Sequence, residues 1–183
     1  AEDKSHVITG EQKCVYFAEQ DPEVLKVLVR RAEAMQVPYK IYGRDFQAEN
    51  IRYTCSGMLF DVVIGDNIYP DLQIPLLGEH QAKNCALALA PCVDVMADLC
   101  RESNAPDIFS DTMCNQIRCQ LSAIHHPGRM EILSSAPFIL LDACIHSASC
   151  ENVKAVLRHL GISNCTVIVG IPEDKDYAGV IRS

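Results

Sequence analysis

The sequence predicts an α/β fold in two parts, and three features predict it. A strand–helix–strand pattern opens the chain, a second one closes it, and a hairpin pattern followed by long helical segments lies between them. The 183 residues are 49% apolar and 22% charged, which is enough to bury a sizeable core and too apolar for a disordered tail.

The first unit is read from His6 to Tyr42. His6 to Thr9 reads as a strand, followed by a loop. Asp21 is placed to cap a helix, Pro22 suits its first position, and Glu23 complements the helix dipole. Val24, Leu28, Ala32 and Met35 recur at helical spacing and predict the buried stripe, with Lys26, Arg30 and Arg31 off it. Pro38 ends the helix, and Tyr39 to Tyr42 returns as a strand, so a parallel pair is expected.

The middle of the chain changes pattern. Two extended runs, Arg52 to Ile64 and Ile68 to Ile74, flank Gly65-Asp66-Asn67 and read as a hairpin. A helix rich in Ala and Leu runs from about Glu79 to Leu99, with Pro91 as a kink or break. A second helix, about Asp107 to Leu121, leads to His125-His126-Pro127-Gly128, a turn that marks a domain boundary. Residues 1–124 and 125–183 are therefore expected to be separate domains.

Beyond the boundary, Met130 to Leu133 is followed by the strand Phe138 to Leu141, which ends in Asp142. A helix over Ser149 to Leu160 buries Val153, Val156, Leu157 and Leu160, and Gly161 stops it. Cys165 to Val169 reads as the next strand, so a second, right-handed, parallel unit is expected.

Bulk properties narrow the function. A net charge of −8 argues against a nucleic-acid binder. The longest apolar run, Cys85 to Val93, is too short to span a membrane, and the Ala-Glu-Asp-Lys start is not a signal peptide. None of the ten cysteines forms a Cys-x-x-Cys pair, and several lie in apolar stretches. They read as reduced, buried thiols of a cytoplasmic protein rather than zinc ligands.

Several residues are candidates for chemistry. Ligands of open parallel sheets bind beyond the carboxyl ends of the strands, where Asp142 and the loop 170–176 stand. A carboxylate there can hold a ribose diol, or Asp142 can cap the turn into the next helix. Arg129, in the boundary turn, can clamp a phosphate bidentately or be an ordinary surface arginine. His80 and Asn84 share a helix face, and an amide can offer a donor and an acceptor to an adenine edge or simply face solvent. His125 and His126 are adjacent, and neighbouring histidines seldom aim at one ion. No Gly-x-x-x-x-Gly-Lys-[Ser/Thr] loop occurs among the nine glycines, so no triphosphate cradle is visible in the chain.

Taken in order, these segments resemble a family. Pro-Leu-Leu-Gly-Glu-His-Gln-x-x-Asn (75–84) resembles the end of the central domain of the folylpolyglutamate/dihydrofolate synthases, and Pro-Gly-Arg-Met-Glu (127–131) the start of their C-terminal domain. Val7-Ile8-Thr9-Gly10, Pro22-Glu23-Val24-Leu25 and Arg44-Asp45-Phe46 match upstream, and Asp174-Lys175-Asp176-Tyr177 downstream. The resemblance covers nearly the whole chain. It implies a partial Mur-ligase central domain joined to the first half of a Rossmann-like C-terminal domain. The family's phosphate loop, magnesium ligands and modified lysine are then expected upstream of residue 1, and the end of the C-terminal domain beyond Ser183.

The implied activity is amide formation: ATP and Mg2+ activate a pteroate or folate carboxylate as an acyl phosphate, and glutamate attacks it. By the same resemblance Asn84 contacts adenine, Arg129 the phosphates and Asp142 the ribose. His146 lies near the nucleotide, while His80 and Gln81 support the site. The chain departs from the family pattern at Asp142-Ala143-Cys144-Ile145-His146-Ser147, where the family has Asp-Gly-Ala-His-Asn. No catalytic residue and no metal ligand is assigned within the chain, which as a fragment is expected to be inactive alone. A monomer with small-molecule partners is expected, without nucleic acid or membrane. The competing readings are a ligase for a non-folate carboxylate, a non-catalytic nucleotide-binding module and a cysteine-based metal or redox protein.

Overall fold

The computed structural model describes residues 1–54, 56–103, 110–172, 175 and 177–182. The chain opens with a short helix, α1 (Glu2–Ser5), and the first strand is β1 (Val15–Phe17). The expected strand over His6 to Thr9 is absent. Ile8 is instead a buried plug, 2% exposed, while Val7 faces solvent, and the ladder partner falls to Val15–Phe17. Helix α2 (Pro22–Ala34) starts as the sequence predicts: the Asp21 side chain accepts from the Glu23 N–H at 2.9 Å, with Pro22 in the first turn. Its packed stripe is Leu25, Leu28, Val29, Ala32 and Met35, so Leu25 takes the place expected for Val24. Strand β2 (Tyr39–Ile41) pairs with β1 in parallel, Val15 opposite Tyr39, which makes the first strand–helix–strand unit.

The next layer is an antiparallel meander of β3 (Phe46–Thr54), β4 (Gly57–Ile64) and β5 (Asn67–Ile74). The turn at Gly65-Asp66 is where the sequence puts it, with Ile64 opposite Asn67. The run expected as one strand from Arg52 to Ile64 is instead broken into two, which form a second hairpin. Gly57 permits the break, because a Cβ there would lie 1.9 Å from the Ile74 carbonyl oxygen. Bulges at Glu49/Arg52 and Phe60/Val62 bend the sheet. The Asp61 carboxylate braces both, accepting from Asn50 Nδ2 at 2.6 Å and from the Asp71 N–H at 2.8 Å.

Helix α3 (Glu79–Ser103) lies across this sheet and buries Ala82, Ala86, Leu89, Ala90 and Val93. The small side chains on this face let the helix sit close to Phe60, Val62 and Ile64. The helix continues through Pro91 to Ser103 without the break expected there, even though the proline removes one backbone donor. Asp94, midway along α3, joins the two layers by accepting from Tyr16 Oη and from Lys40 Nζ, the latter at 2.6 Å. Helix α4 (Asp111–Ser122) is capped by Ser110, and Arg118 Nε donates to the Pro70 carbonyl at 3.0 Å, which pins the helix on β5. The expected start at Asp107 lies outside the described residues.

After the 125–130 turn, β6 (Glu131–Ser135) and β7 (Phe138–Leu141) form an antiparallel hairpin, followed by α5 (Ser147–His159) and α6 (Tyr177–Arg182). The second parallel unit expected from the sequence is therefore absent among the described residues. Cys165 to Val169 is β-branched enough for a strand but has no ladder partner, and Ile168 is 94% exposed. Val156 of α5 meets Leu77 and Met130 in a small buried cluster, and the His159 ring stacks on Tyr53 of β3 with centroids 3.9 Å apart. These contacts seat the C-terminal part against the sheet just where α3 begins.

Candidate functional site

That junction holds a cavity of about 520 Å3. Its walls come from the end of β5 (Ile74), Leu76 just beyond it, the first half of α3, and the segment from Leu121 to Arg129. Much of the lining is apolar, from Cys85, Ala88, Leu89, Cys92, Leu121 and Ile124, and its polar members are His80, Gln81, Asn84, His126 and Arg129.

Helical spacing accounts for the polar group on α3, since 80, 81 and 84 all lie in its first two turns. Gln81 is buried, 7% exposed, and its Oε1 accepts from Asn84 Nδ2 at 3.3 Å. Asn84 itself is exposed, and its carbonyl accepts no hydrogen bond among the described residues. Just before the helix, Gly78 has φ +105°, and a Cβ there would stand 2.6 Å from His80 Cε1 and 2.7 Å from Nδ1. The imidazole thus rests on bare backbone. Burial chiefly holds its pKa below the ordinary histidine range; Arg129 lowers it further, and Asp142 opposes. Burial thus favours the neutral ring.

Arg129 is carried by a turn fastened on three sides. The Glu131 carboxylate accepts from the Gly128 N–H at 2.7 Å, Asp142 Oδ2 accepts from the Met130 N–H at 2.9 Å, and the Ala143 N–H donates to the Gly128 carbonyl at 2.9 Å. Gly128 adopts its φ of +69° freely, but Met130 at φ +49° is in a region that L side chains rarely occupy, and the bond from its N–H to Asp142 helps to hold it there. The Arg129 side chain is exposed and has no hydrogen-bond or ion-pair partner among the described residues. A fixed turn therefore presents an open guanidinium to the cavity.

Of the residues singled out in the sequence, the fold brings His80, Gln81, Asn84 and Arg129 onto one cavity. Asp142 is near the same group: its charge opposes the lowering of the His80 pKa and its carboxylate clips the Arg129 turn, but it is not among the residues that line the cavity. His146 stands apart. Its Nδ1 accepts from the Ser149 N–H at 3.2 Å, and the two residues form a capping box at the start of α5. The capping role considered for Asp142 thus belongs to His146. Sequence reading missed the apolar wall, because Leu121 and Ile124 reach it only through the tertiary position of α4. It also missed Gly78, whose place directly before the helix was the available signal. Cys85 lines the wall, and burial pushes its thiol up to about 11, so it is an apolar surface and not a nucleophile. No group of three or more His, Cys, Asp or Glu is placed to hold a metal ion among the described residues.

Comparison with known proteins finds similarity to folylpolyglutamate synthases over most of the chain. A folylpolyglutamate synthase from Lacticaseibacillus casei is 28% identical over 159 residues, covering 87% of this chain. A solved folylpolyglutamate synthase complex with AMPPCP and folate superposes with a TM-score of 0.81 at 25% identity over 98% of the chain and 42% of its own length. The chain is a homologue of the folylpolyglutamate synthases. A Mycobacterium tuberculosis folylpolyglutamate synthase complexed with ADP matches 86% of this homologue at 25% identity, with a TM-score of 0.71 over 33% of the solved chain. These enzymes belong to the Mur ligase superfamily. The homologue spans 35% of the length of the L. casei relative. No protein-family model matches it.

Proposed function

We propose that this chain forms the nucleotide-facing part of an ATP-dependent amide ligase that joins glutamate to a pteroate or folate through an acyl phosphate. One observation carries the reading: an open, rigidly presented arginine and a helix-borne amide face the same largely apolar cavity, between the sheet and the C-terminal part. An apolar slot suits a purine face, and an unpaired guanidinium suits phosphate. Relatives solved with ADP and with AMPPCP and folate support the same chemistry.

In this reading Asn84 meets the adenine edge and Arg129 the phosphates. Asp142 uses one oxygen to hold the Met130 N–H and offers the other to the ribose. His146 keeps only Nε2 for a ligand, since Nδ1 caps α5. Residues 1–124 belong to the central domain and 125–183 to the C-terminal one. ATP supplies the phosphoryl group that activates the carboxylate. Among the described residues no cluster of His, Cys, Asp or Glu could hold magnesium, so its ligands belong to other parts of the enzyme. The protein works as a cytoplasmic monomer on small molecules. The thiols of Cys85, Cys92, Cys144 and Cys150 suit a reducing compartment.

Titration of ADP into the chain tests the reading. Saturable binding that weakens in Arg129→Ala supports it. Steady ATP turnover by the chain alone contradicts it, because no phosphate-cradling loop is present to support that step. Formation of a glutamyl amide by the enzyme assayed with ATP, glutamate and pteroate or folate tests the substrate assignment.

A further inference from the structure

His80, like Gln81 and His126, is a polar group of the cavity with no ligand contact in the nucleotide reading, and among these three it alone has a buried ring nitrogen without a partner among the described residues. Its Nδ1 is fully buried and has no hydrogen-bond partner among the described residues, while the ring lines the cavity. A buried N–H without an acceptor is rarer and costlier than a buried lone pair without a donor. The single proton of the neutral ring therefore belongs on Nε2, the nitrogen that is neither sequestered nor bonded. A second proton would have to enter at the buried Nδ1, against the Gly78 backbone. The charged groups that act on the ring are Arg129, from the 127–130 turn, and Asp142, beyond the end of β7. His126 lines the same cavity, and α5 faces Gly78 with the apolar Val156.

We propose that His80 is a specificity-determining residue that stays neutral and donates its Nε2–H to an uncharged acceptor on the nucleoside half of the ligand, leaving the phosphates to Arg129. The inference rests on the nucleotide reading and adds to it. Asn84, four residues on, shares the His80 face of α3, so both side chains address the same part of one ligand. A neutral donor discriminates for an acceptor without attracting anions at large, and it works unchanged wherever the ring stays unprotonated. Burial of Nδ1 against the Gly78 backbone favours the singly protonated ring, and the depressed pKa agrees with that geometry.

Affinities of the chain for adenosine and for ADP, measured by calorimetry at pH 6.5 and pH 8, separate the roles. His80→Ala is expected to weaken both ligands by the same factor, about 3- to 10-fold, at both pH values. His80→Gln, which can offer an N–H, is expected to recover most of the loss. Arg129→Ala is expected to weaken ADP and spare adenosine. A loss confined to ADP, or none for either ligand, overturns the inference. Nitrogen-15 spectra of the histidine rings in the unmutated chain give an answer that needs no variant. His80 is expected to hold its proton on Nε2 from pH 6.5 to 8, and a proton on Nδ1 overturns the inference while leaving the nucleotide reading intact. Failure of the unmutated chain to bind either ligand overturns that reading and the His80 role with it.

Discussion

Replacing Arg129 by alanine should separate binding from folding. The side chain is exposed and makes no hydrogen bond or ion pair among the described residues, so its loss should change stability by less than about 0.5 kcal/mol. The turn that carries it is held by Glu131, Asp142 and the Ala143 N–H, all of which survive the substitution. A charge-assisted contact to phosphate is worth about 1.5–3 kcal/mol, which converts to roughly 10- to 150-fold in the dissociation constant of ADP. Arg129→Lys keeps the charge and loses the bidentate fork, so it should fall between the two. The alanine variant also removes a positive neighbour of His80 and should let the ring protonate at a higher pH. Calorimetry gives the affinity, and a thermal melt gives the stability. An unchanged ADP affinity would refute the phosphate role. A fall of several degrees in the melting temperature would show that Arg129 supports the fold instead.

Two further changes probe the scaffold. Val156 is fully buried between Leu77 and Met130, so Val156→Ala should cost about 1–2.5 kcal/mol by chemical denaturation, and ADP binding should weaken with it because the cluster seats the Arg129 turn; full stability would mean that α5 is not docked there. Asp61→Ala should destabilise by about 1–2 kcal/mol, since the Asn50 amide and the Asp71 N–H lose their acceptor. The pH dependence has a definite sign: chiefly through Asn50, the Asp61 pKa lies below its ordinary value, so the contribution is present at neutral pH and is lost as the pH falls through the folded-state pKa. A denaturation series from pH 6 to pH 3 checks this, and the alanine variant should show the shallower decline.

The parts of the fold legible in the sequence are those set by local chemistry. Asp21, Pro22 and the Leu28/Ala32/Met35 spacing fix α2 with no help from the rest of the chain, and Gly65-Asp66 fixes the turn between β4 and β5. The β3–β4 break was not legible. It depends on Gly57 passing the Ile74 carbonyl, a contact 17 residues away in sequence. Two apolar stretches were misread as strands because a strand needs a ladder partner, and composition does not reveal one. Ile8 is used as a plug, and Cys165 to Val169 pairs with nothing among the described residues. At the site, spacing put His80, Gln81 and Asn84 together, and the turn motif singled out Arg129. The apolar wall from Leu121 and Ile124 is tertiary, and so is the clip between Asp142 and Met130. His146 looked like a ligand contact in the motif, but locally it is a helix cap, one residue off the family pattern.

A structure of the chain with ADP bound tests the central claim most directly. The base is expected against Cys85 and Ala88 with its edge on Asn84, and the phosphates within hydrogen-bond reach of Arg129. ADP lodged elsewhere, or with its phosphates pointing away from the 127–130 turn, would contradict the account.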